Sequence, residues 1–229
     1  MERIFLIGFM GSGKTTLGKA LAQKLGVDFI DLDLYIETRY HKTVREIFAE
    51  SGEERFRQIE KSLLHEVADF ENVIIAAGGG TPCFFDNIDY MNGHGTCVYL
   101  KASVEELCKR LAGGRESRPL LRGKSDEELR LFIDQSIAQR ETYYTRASLH
   151  FDTGSLTTRK EIDDTVIRLQ QLLHDNHILI RASQDQPPQS KRKISFPEEL
   201  VVLITFFYFL CGFKRNLFIK YPFLLSNSR

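Results

Sequence analysis

The residues with the clearest chemical meaning lie near the N-terminus, in the stretch GFMGSGKT at residues 8–15. The stretch fits the pattern G-x-x-x-x-G-K-[ST] and stands between an apolar run, RIFLIG, and a segment with helical spacing. Glycines let the backbone fold closely around phosphate, so that amide N–H groups and the positive end of a helix face the anion. The pattern predicts a loop that binds a nucleoside triphosphate, which we take to be ATP.

The positions of this loop have predicted roles. The predicted ATP-binding residues are Gly11, Ser12, Gly13, Lys14, Thr15 and Thr16. The Lys14 ammonium is expected to reach the β and γ phosphates as a catalytic group, and the Thr15 hydroxyl to bind Mg²⁺. The same loop occurs in ATPases, GTPases and small-molecule kinases, so the reaction depends on the acceptor site.

Two carboxylates follow the second apolar run, in FIDLD at residues 29–33. In an extended segment Asp31 and Asp33 project to the same side, at the sheet edge where ligands of α/β proteins bind. Asp31 is then placed to hold Mg²⁺ directly or through water, and Asp33 to accept a hydrogen bond from an acceptor hydroxyl. The alternative is that either carboxylate caps the next helix, and both roles are compatible.

Two further features suggest an acceptor site. Arg57 and Glu60 are three residues apart on a predicted helix, so the acid can orient a guanidinium whose planar fork suits a substrate carboxylate. The alternative is an ordinary surface ion pair. Three glycines at residues 78–80 follow the run VIIAA, and they permit close approach and offer backbone N–H donors. The alternative for them is a flexible turn.

The elements that must position these residues alternate along the chain. RIFLIG, DFIDLD, NVIIAA and TCVYL have the composition of buried strands, and helical periodicity lies between them. A Ser or Thr followed three residues later by Glu predicts helix starts at Thr43, Ser103, Ser125 and Thr158. The alternation predicts an α/β fold with a mostly parallel sheet covered on both faces, in three α/β/α layers.

A basic loop interrupts this alternation at GGRESRPLLRGKS, residues 113–125. Its Gly and Pro content predicts a mobile surface segment. Its three arginines, Arg115, Arg118 and Arg122, favour a lid over an anionic ligand, and the alternative is an exposed connector.

Six motifs occur in the order and rough spacing of shikimate kinases, small relatives of the nucleoside monophosphate kinases: GFMGSGKTTLGKALA, FIDLDLYIE, IFAESGEERFRQIE, AAGGGTP, RPLL and QRETYY. Residues 1–173, about three quarters of the chain, resemble this family. The resemblance implies a P-loop NTPase fold with a five-stranded parallel sheet of order 2-3-1-4-5, a mobile lid at about 113–124, and a monomer. It also implies ATP-dependent phosphorylation of the 3-hydroxyl of shikimate, a step toward chorismate and the aromatic amino acids.

The resemblance also assigns roles to single residues. It implies that Asp33 contacts the shikimate hydroxyls as the catalytic base or orienting group, that Arg57 and Arg140 bind the carboxylate, and that Gly79 adds a backbone contact. Arg118 in RPLL resembles a lid arginine that closes over the phosphates, with an ATP-binding and catalytic role. Thr15 and Asp31 remain the predicted residues for binding Mg²⁺. The adenine contact is left open, and Arg159 is a candidate.

Composition limits the other function classes. The chain has 31 Lys and Arg against 31 Asp and Glu, and an excess of basic residues after residue 173 leaves residues 1–173 mildly acidic, which argues against a nucleic-acid surface. The four cysteines have no paired spacing and the sequence shows no signal peptide, so we expect the protein to be located in the reducing cytoplasm. The six histidines lack zinc-site spacing, so we expect no tightly bound transition metal.

Residues 174–229 differ in character from the rest of the chain. A polar linker, ASQDQPPQSKRK, precedes the apolar stretch LVVLITFFYFLCGF at residues 200–213. As a helix this stretch would span about 21 Å, short of the roughly 30 Å hydrocarbon core. A membrane anchor is therefore disfavoured, an interfacial segment remains open, and the expected reading is an accidental extension of low order. No membrane contact is expected for residues 1–173.

Two other functions compete with shikimate phosphorylation. Another P-loop small-molecule kinase, such as a gluconate kinase, would also need arginines for a carboxylate, although the combination of GGGTP and FRxxE argues against it. A catalytically inactive nucleotide-binding module is the second alternative. Intact Lys14, Asp33, Arg57, Arg118 and Arg140 argue against that module, because a degenerate member is expected to lack at least one of them.

Overall fold

The computed structural model describes residues 2–115 and 120–178, which form one compact unit. The predicted lid residue Arg118 and residues 179–229 of the predicted extension lie outside the described residues. The strands are β1 (Arg3–Ile7), β2 (Asp28–Asp31), β3 (Val73–Ala76), β4 (Thr96–Lys101) and β5 (Leu149–Asp152). The helices are α1 (Lys14–Leu25), α2 (Leu32–Tyr40), α3 (Val44–Ala68), α4 (Asn87–His94), α5 (Val104–Ala112), α6 (Asp126–Tyr144) and α7 (Arg159–Asp175), with a 3₁₀ turn at Thr81–Cys83.

The five strands form one parallel sheet in the order β2-β3-β1-β4-β5. This confirms the order that the family resemblance implies. β1 is central, and its Phe5 lies opposite Ile75 of β3 and Cys97 of β4. The loop after β1 therefore emerges between the loops after β3 and β4, at the edge where α/β proteins bind their ligands.

Helices cover both faces of the sheet, which confirms the three-layer prediction. Phe5 and Ile7 of β1 are buried on the face covered by α2, α3 and α4. Ile4 and Leu6, the alternate residues, are buried on the face covered by α1 and α7. Successive strand residues point to opposite faces, so a strand buried on both faces must be apolar throughout, as RIFLI nearly is.

A third apolar cluster lies beside the loop after β1 and joins it to α5 and α6. Its buried members are Phe9, Leu107, Leu111, Leu121, Leu129 and Ile133. Leu121 comes from the predicted lid loop, and Arg115 at the start of that loop donates to the Lys124 carbonyl and pairs with Asp126. The described ends of the loop are therefore anchored on α6, and closure over a ligand stays a prediction.

The predicted helix starts are present, with one difference. Thr43, Ser125 and Thr158 each form a reciprocal capping box with the Glu three residues later. The Ser103 hydroxyl accepts from the Glu106 N–H in the same way, but the Glu106 carboxylate binds Lys109 instead. Of the helices in the described part of the chain, none combines the length and apolar character needed to cross a bilayer.

An aromatic stack joins α3 to α4. The His65 and Tyr90 rings lie with their centroids 3.7 Å apart, and the Tyr90 and His94 rings 3.9 Å apart. The Nε2 atom of His65 is buried and has no hydrogen-bond partner among the described residues. Burial, followed by the charge of Lys61, lowers the pKa of His65 below its ordinary value of 6.5.

The lowered pKa of His65 makes the free energy of unfolding depend on pH. In the unfolded chain His65 takes up a proton near pH 6.5, whereas in the folded chain it resists protonation. The stability that His65 contributes is therefore retained above pH 6.5 and is lost as the pH falls toward the lowered pKa. We expect thermal unfolding of His65→Phe to depend less on pH between 7.5 and 5.5 than that of the native chain. His174→Gln, at an exposed position on α7, is the control, and an unchanged slope for His65→Phe would assign the effect to other groups.

Candidate active site

A cavity of about 620 Å³ lies at the carboxyl end of β1, where the predicted phosphate loop meets α1. Its lining residues are Gly11, Gly13, Lys14, Thr15, Thr16, Lys109, Arg110, Leu156 and Thr157. Gly13, the residue before α1, has a φ of 102°, which L side chains rarely adopt. Five of the six predicted loop residues thus face one cavity. Ser12 is the exception, since it is buried and its N–H donates to the Phe9 carbonyl at 3.1 Å.

Lys14 is held over the loop by backbone oxygens. Its Nζ donates to the carbonyls of Gly8 at 2.8 Å and Phe9 at 3.0 Å. Burial lowers the pKa of Lys14 to about 8, and the charges of Asp33 and Asp31 oppose that shift. The ammonium therefore stays mostly protonated at neutral pH, between the loop and the two carboxylates.

The stretch FIDLD does not form a single extended segment, so the sequence prediction that Asp31 and Asp33 project from one strand is wrong. β2 ends at Asp31, whose side chain accepts from the Leu34 N–H at 3.4 Å and caps α2. The cap satisfies one of the unpaired N–H groups at the helix start, which favours ending the strand there. Asp31 also accepts a hydrogen bond from the Thr15 hydroxyl at 2.7 Å.

Asp33 lies in the first turn of α2 and reaches the glycine loop after β3. Desolvation raises the pKa of Asp33 to about 6, the nearby Glu60 and Asp31 carboxylates add to the shift, and Lys14 opposes it. A carboxyl group with a pKa near the working pH is suited to accept a proton and to release it again.

Arg57 has the partner that its spacing predicts. Its Nη1 donates to Glu60 Oε2 at 2.8 Å, and its Nε and Nη2 approach Glu53 Oε1 at 3.4 and 3.2 Å. Glu60 is 1% exposed, whereas Glu53 is largely exposed. The Phe84 ring lies 4.0 Å from the guanidinium carbon. Contacts among the described residues use three of the five guanidinium N–H groups, which leaves one on each terminal nitrogen for a ligand.

The three glycines separate the two predicted carboxylate-binding arginines. A Cβ atom on Gly80 would lie 3.0 Å from Arg57 Nη2, and a Cβ atom on Gly79 would lie 3.8 Å from Arg140 Nη1. The Gly79 carbonyl accepts from the Tyr144 hydroxyl at 2.6 Å, and Tyr144 is on the same helix as Arg140. The loop thus brings arginines from α3 and α6 to adjacent positions beside Asp33.

Gly78 has the least space of the three. A Cβ atom there would lie 2.9 Å from Asp33 Oδ1, 2.9 Å from Thr81 Oγ1 and 3.0 Å from Glu60 Oε1. At Gly79 the nearest atom, the Met10 nitrogen, would be 3.5 Å away, an ordinary contact. The absence of a side chain is therefore a stricter requirement at the first glycine than at the second.

We expect Gly78→Ala to weaken use of the acceptor substrate by about tenfold or more, because the methyl group displaces the oxygens around Asp33. The KM for ATP should change little, since the cavity beside Lys14 does not include Gly78. Steady-state kinetics with each substrate varied in turn measures the two effects. Gly93→Ala is a matched control, because a Cβ atom there would meet nothing within 4 Å, and equal losses for both substrates would contradict the expectation.

The cavity also contains residues that the sequence reasoning missed. Arg110 on α5 donates to the Gly11 carbonyl at 3.0 Å and to the Gly154 carbonyl, and so joins the phosphate loop to the loop after β5. Leu156 and Thr157 line the same cavity. The predicted adenine candidate Arg159 instead pairs with Asp163 on the surface of α7 and is not a lining residue. In sequence Arg110 resembles any basic residue in the last turn of a helix, which is a weak signal.

The described residues thus bring the two predicted sites together at one edge of the sheet. Lys14, Thr15, Asp31 and Asp33 meet beside β1 and β2, and Asp33 lies against the glycine loop that carries the arginines. Among residues 2–115 and 120–178, no three His, Cys, Asp or Glu side chains cluster into a metal site built from protein ligands alone. The arrangement can bind phosphates on one side and a small carboxylate with hydroxyl groups on the other.

Comparison with known proteins agrees with this geometry. The family model for shikimate kinase matches residues 10–171. A shikimate kinase of Parabacteroides distasonis is 56% identical over 173 residues, which are 76% of this chain and 100% of that protein. The crystal structure of shikimate kinase from Bacteroides thetaiotaomicron, 53% identical, superposes with a TM-score of 0.73 over 76% of this chain and 98% of that one. Shikimate kinase from Acinetobacter baumannii in complex with shikimate is 30% identical, and it superposes with a TM-score of 0.67 over 78% of this chain and 96% of that one. Because the family match runs from the phosphate loop into the last described helix, the chain belongs to the shikimate kinase family.

Proposed function

We propose that the chain transfers the γ phosphate of ATP to the 3-hydroxyl of shikimate and forms shikimate 3-phosphate. The observation that carries this proposal is the position of Arg57 and Arg140 against adjacent glycines, beside Asp33 and next to the phosphate loop. Shikimate offers a carboxylate for two guanidinium groups and hydroxyl groups for Asp33. The shikimate complex of the Acinetobacter baumannii relative supports the same acceptor.

The acceptor half of the mechanism consists of orientation and proton transfer. Arg57 and Arg140 bind the carboxylate, Gly79 contributes a backbone contact, and the ring is thereby fixed with a hydroxyl group at Asp33. The ionised Asp33 carboxylate accepts the hydrogen bond of the 3-hydroxyl and takes its proton as the oxygen attacks phosphorus. A pKa of about 6 keeps Asp33 mostly ionised at neutral pH, which favours this role.

The donor half neutralises charge and aligns the γ phosphate. The loop residues and the N-terminus of α1 hold the phosphate oxygens. Lys14 offsets the negative charge that develops on the oxygen bridging the β and γ phosphates. We assign to Arg118 the same task from the lid, in keeping with its place in RPLL. Phosphoryl transfer asks mainly for alignment and charge stabilisation, which this set of residues can provide.

Thr15 and Asp31 fit the requirements of Mg²⁺. Their oxygens are 2.7 Å apart, both are hard donors, and they lie beside the cavity that the phosphates would fill. We propose that the Thr15 hydroxyl and the Asp31 carboxylate would hold the ion. When bound, Mg²⁺ supplies charge neutralisation to the β and γ phosphates.

The acceptor preference is tested by ADP release, measured by a coupled assay with shikimate and gluconate side by side. We expect shikimate-dependent ADP release that needs added Mg²⁺. A preference for gluconate would assign the chain to another small-molecule kinase. Binding of ATP and shikimate without ADP release would support the inactive module.

The organisation of the chain follows from the same proposal. We infer that residues 1–173 are the catalytic domain and residues 174–229 an extension to it, since the relative from Parabacteroides distasonis matches over its full length within this chain. α7 ends at Asp175, just past this boundary. We infer that the chain acts as a monomer, as the family resemblance implies. Cys83, Cys97 and Cys108 are free thiols, which suits the reducing cytoplasm.

A further inference from the structure

A buried series of hydrogen bonds extends from Arg57 on α3 to Asn87 on α4. Glu60 accepts from Arg57 on Oε2 at 2.8 Å and from the Thr81 hydroxyl on Oε1 at 2.6 Å. The Thr81 carbonyl in turn accepts from Asn87 Nδ2 at 2.9 Å. The series joins the proposed carboxylate-binding guanidinium to the first residue of α4.

The series is closed to water. Thr81 and Asn87 are 0% exposed and Glu60 is 1% exposed. A carboxylate removed from water is stable only when its oxygens have hydrogen-bond donors. Each oxygen of Glu60 has its own donor, a guanidinium on one side and a hydroxyl group on the other. The Thr81 hydroxyl therefore determines how Glu60 is turned when it meets Arg57.

The buried side-chain amide of Asn87 is only partly paired among the described residues. Its Oδ1 atom is buried without a hydrogen-bond partner among the described residues, and an unpaired buried amide oxygen is unfavourable. A leucine of similar volume would avoid that penalty. The side-chain N–H donated to the Thr81 carbonyl is the feature that a leucine could not replace.

The series also lies directly against the glycine loop. The space that a Gly78 side chain would need is filled by Thr81 Oγ1 and Glu60 Oε1, together with Asp33 Oδ1. A shift of Thr81 or Glu60 would therefore change the surroundings of the acceptor without any direct contact to it.

We propose that Thr81 and Asn87 are positioning residues for the acceptor, and that they act through Glu60 on Arg57. The inference rests on the proposed function, which assigns Arg57 to the shikimate carboxylate. Thr81 fixes one oxygen of Glu60 so that the other meets Arg57, and Asn87 fixes the Thr81 peptide. Since neither residue lines the phosphate cavity, their effect is confined to shikimate.

Thr81→Val tests the proposal, because valine keeps the shape of threonine and removes the hydroxyl group. We expect the KM for shikimate to rise about fivefold, as for the loss of one hydrogen bond, while the KM for ATP stays within about twofold. Thr81→Ser restores the hydroxyl group and should restore the shikimate KM. Asn87→Leu should also raise the shikimate KM, and it serves as the second variant if Thr81→Val does not fold.

A double-mutant cycle separates positioning from general loosening of the fold. In an Arg57→Ala background, Thr81→Val should raise the shikimate KM no further, because the residue through which it acts is gone. An additive rise in that background, or equal rises in both KM values without rescue by serine, would overturn the proposal. If the native chain phosphorylates shikimate but Thr81→Val leaves the shikimate KM unchanged, this inference is overturned and the proposed function is not. A native chain without shikimate-dependent ADP release would overturn the proposed function and the inference with it.

Discussion

Asp33→Asn should lower kcat by about a hundredfold to ten-thousandfold, the range for loss of a general base, and leave ATP affinity nearly unchanged. The amide keeps the size of the carboxylate but cannot take the proton of the 3-hydroxyl. It also removes one of the charges that keep the Lys14 pKa from falling further. Steady-state kinetics for kcat and nucleotide titration for ATP affinity separate the two effects.

The control for this variant is Asp164→Asn, an exposed carboxylate on α7, which should behave as the native chain. Near-normal turnover of Asp33→Asn would remove Asp33 from the proton transfer. A loss of ATP affinity comparable to the loss in kcat would mean that the carboxylate serves the nucleotide through Lys14.

Arg57→Ala should raise the KM for shikimate on the order of a hundredfold, because truncating one partner of a hydrogen-bonded charge pair costs about 2–5 kcal/mol. The KM for ATP should remain close to the native value. Arg55→Ala, on the same helix and hydrogen-bonded to Gln58, is the matched control. A rise in the KM for ATP alone would show that Arg57 binds the nucleotide and not shikimate.

Arg57→Ala has a second expected consequence, for stability. Glu60, which is 1% exposed in the native chain, would lose its cation, and breaking a buried ion pair in this way costs about 3–5 kcal/mol. Adding Glu60→Gln removes the unpaired charge, so the double variant should regain thermal stability without regaining shikimate affinity. Recovery of both would show that Arg57 acts only by holding the fold together.

Local sequence was sufficient for the phosphate loop and the helix starts. The phosphate loop is recognised from eight consecutive residues between a strand and a helix, and a capping box from four. The alternation of apolar runs and helical segments likewise predicted a sheet covered on both faces. The strand order came from the family resemblance, because apolar periodicity identifies strands without specifying their neighbours.

The conformation around Asp33 could not be obtained in the same way. The alternation in FIDLD fits a strand as well as it fits a strand followed by a capped helix, and the Thr15 hydroxyl on Asp31 comes from another element. The raised pKa of Asp33 depends on burial and on Glu60, which is distant in the chain. Such values follow from three-dimensional neighbours, which local patterns do not specify.

The sequence by itself determined the chemistry of this protein: a phosphate loop, two carboxylates, a paired arginine and three glycines in a family-like order. Only the tertiary structure decided how these groups cooperate. Of the three consecutive glycines it left the least space at Gly78, and it brought Arg110 to the phosphate cavity and joined Thr81 and Asn87 to Arg57 through Glu60. The reason is that motifs record contacts within a segment, whereas close approach and buried hydrogen bonds arise between segments packed together in the fold.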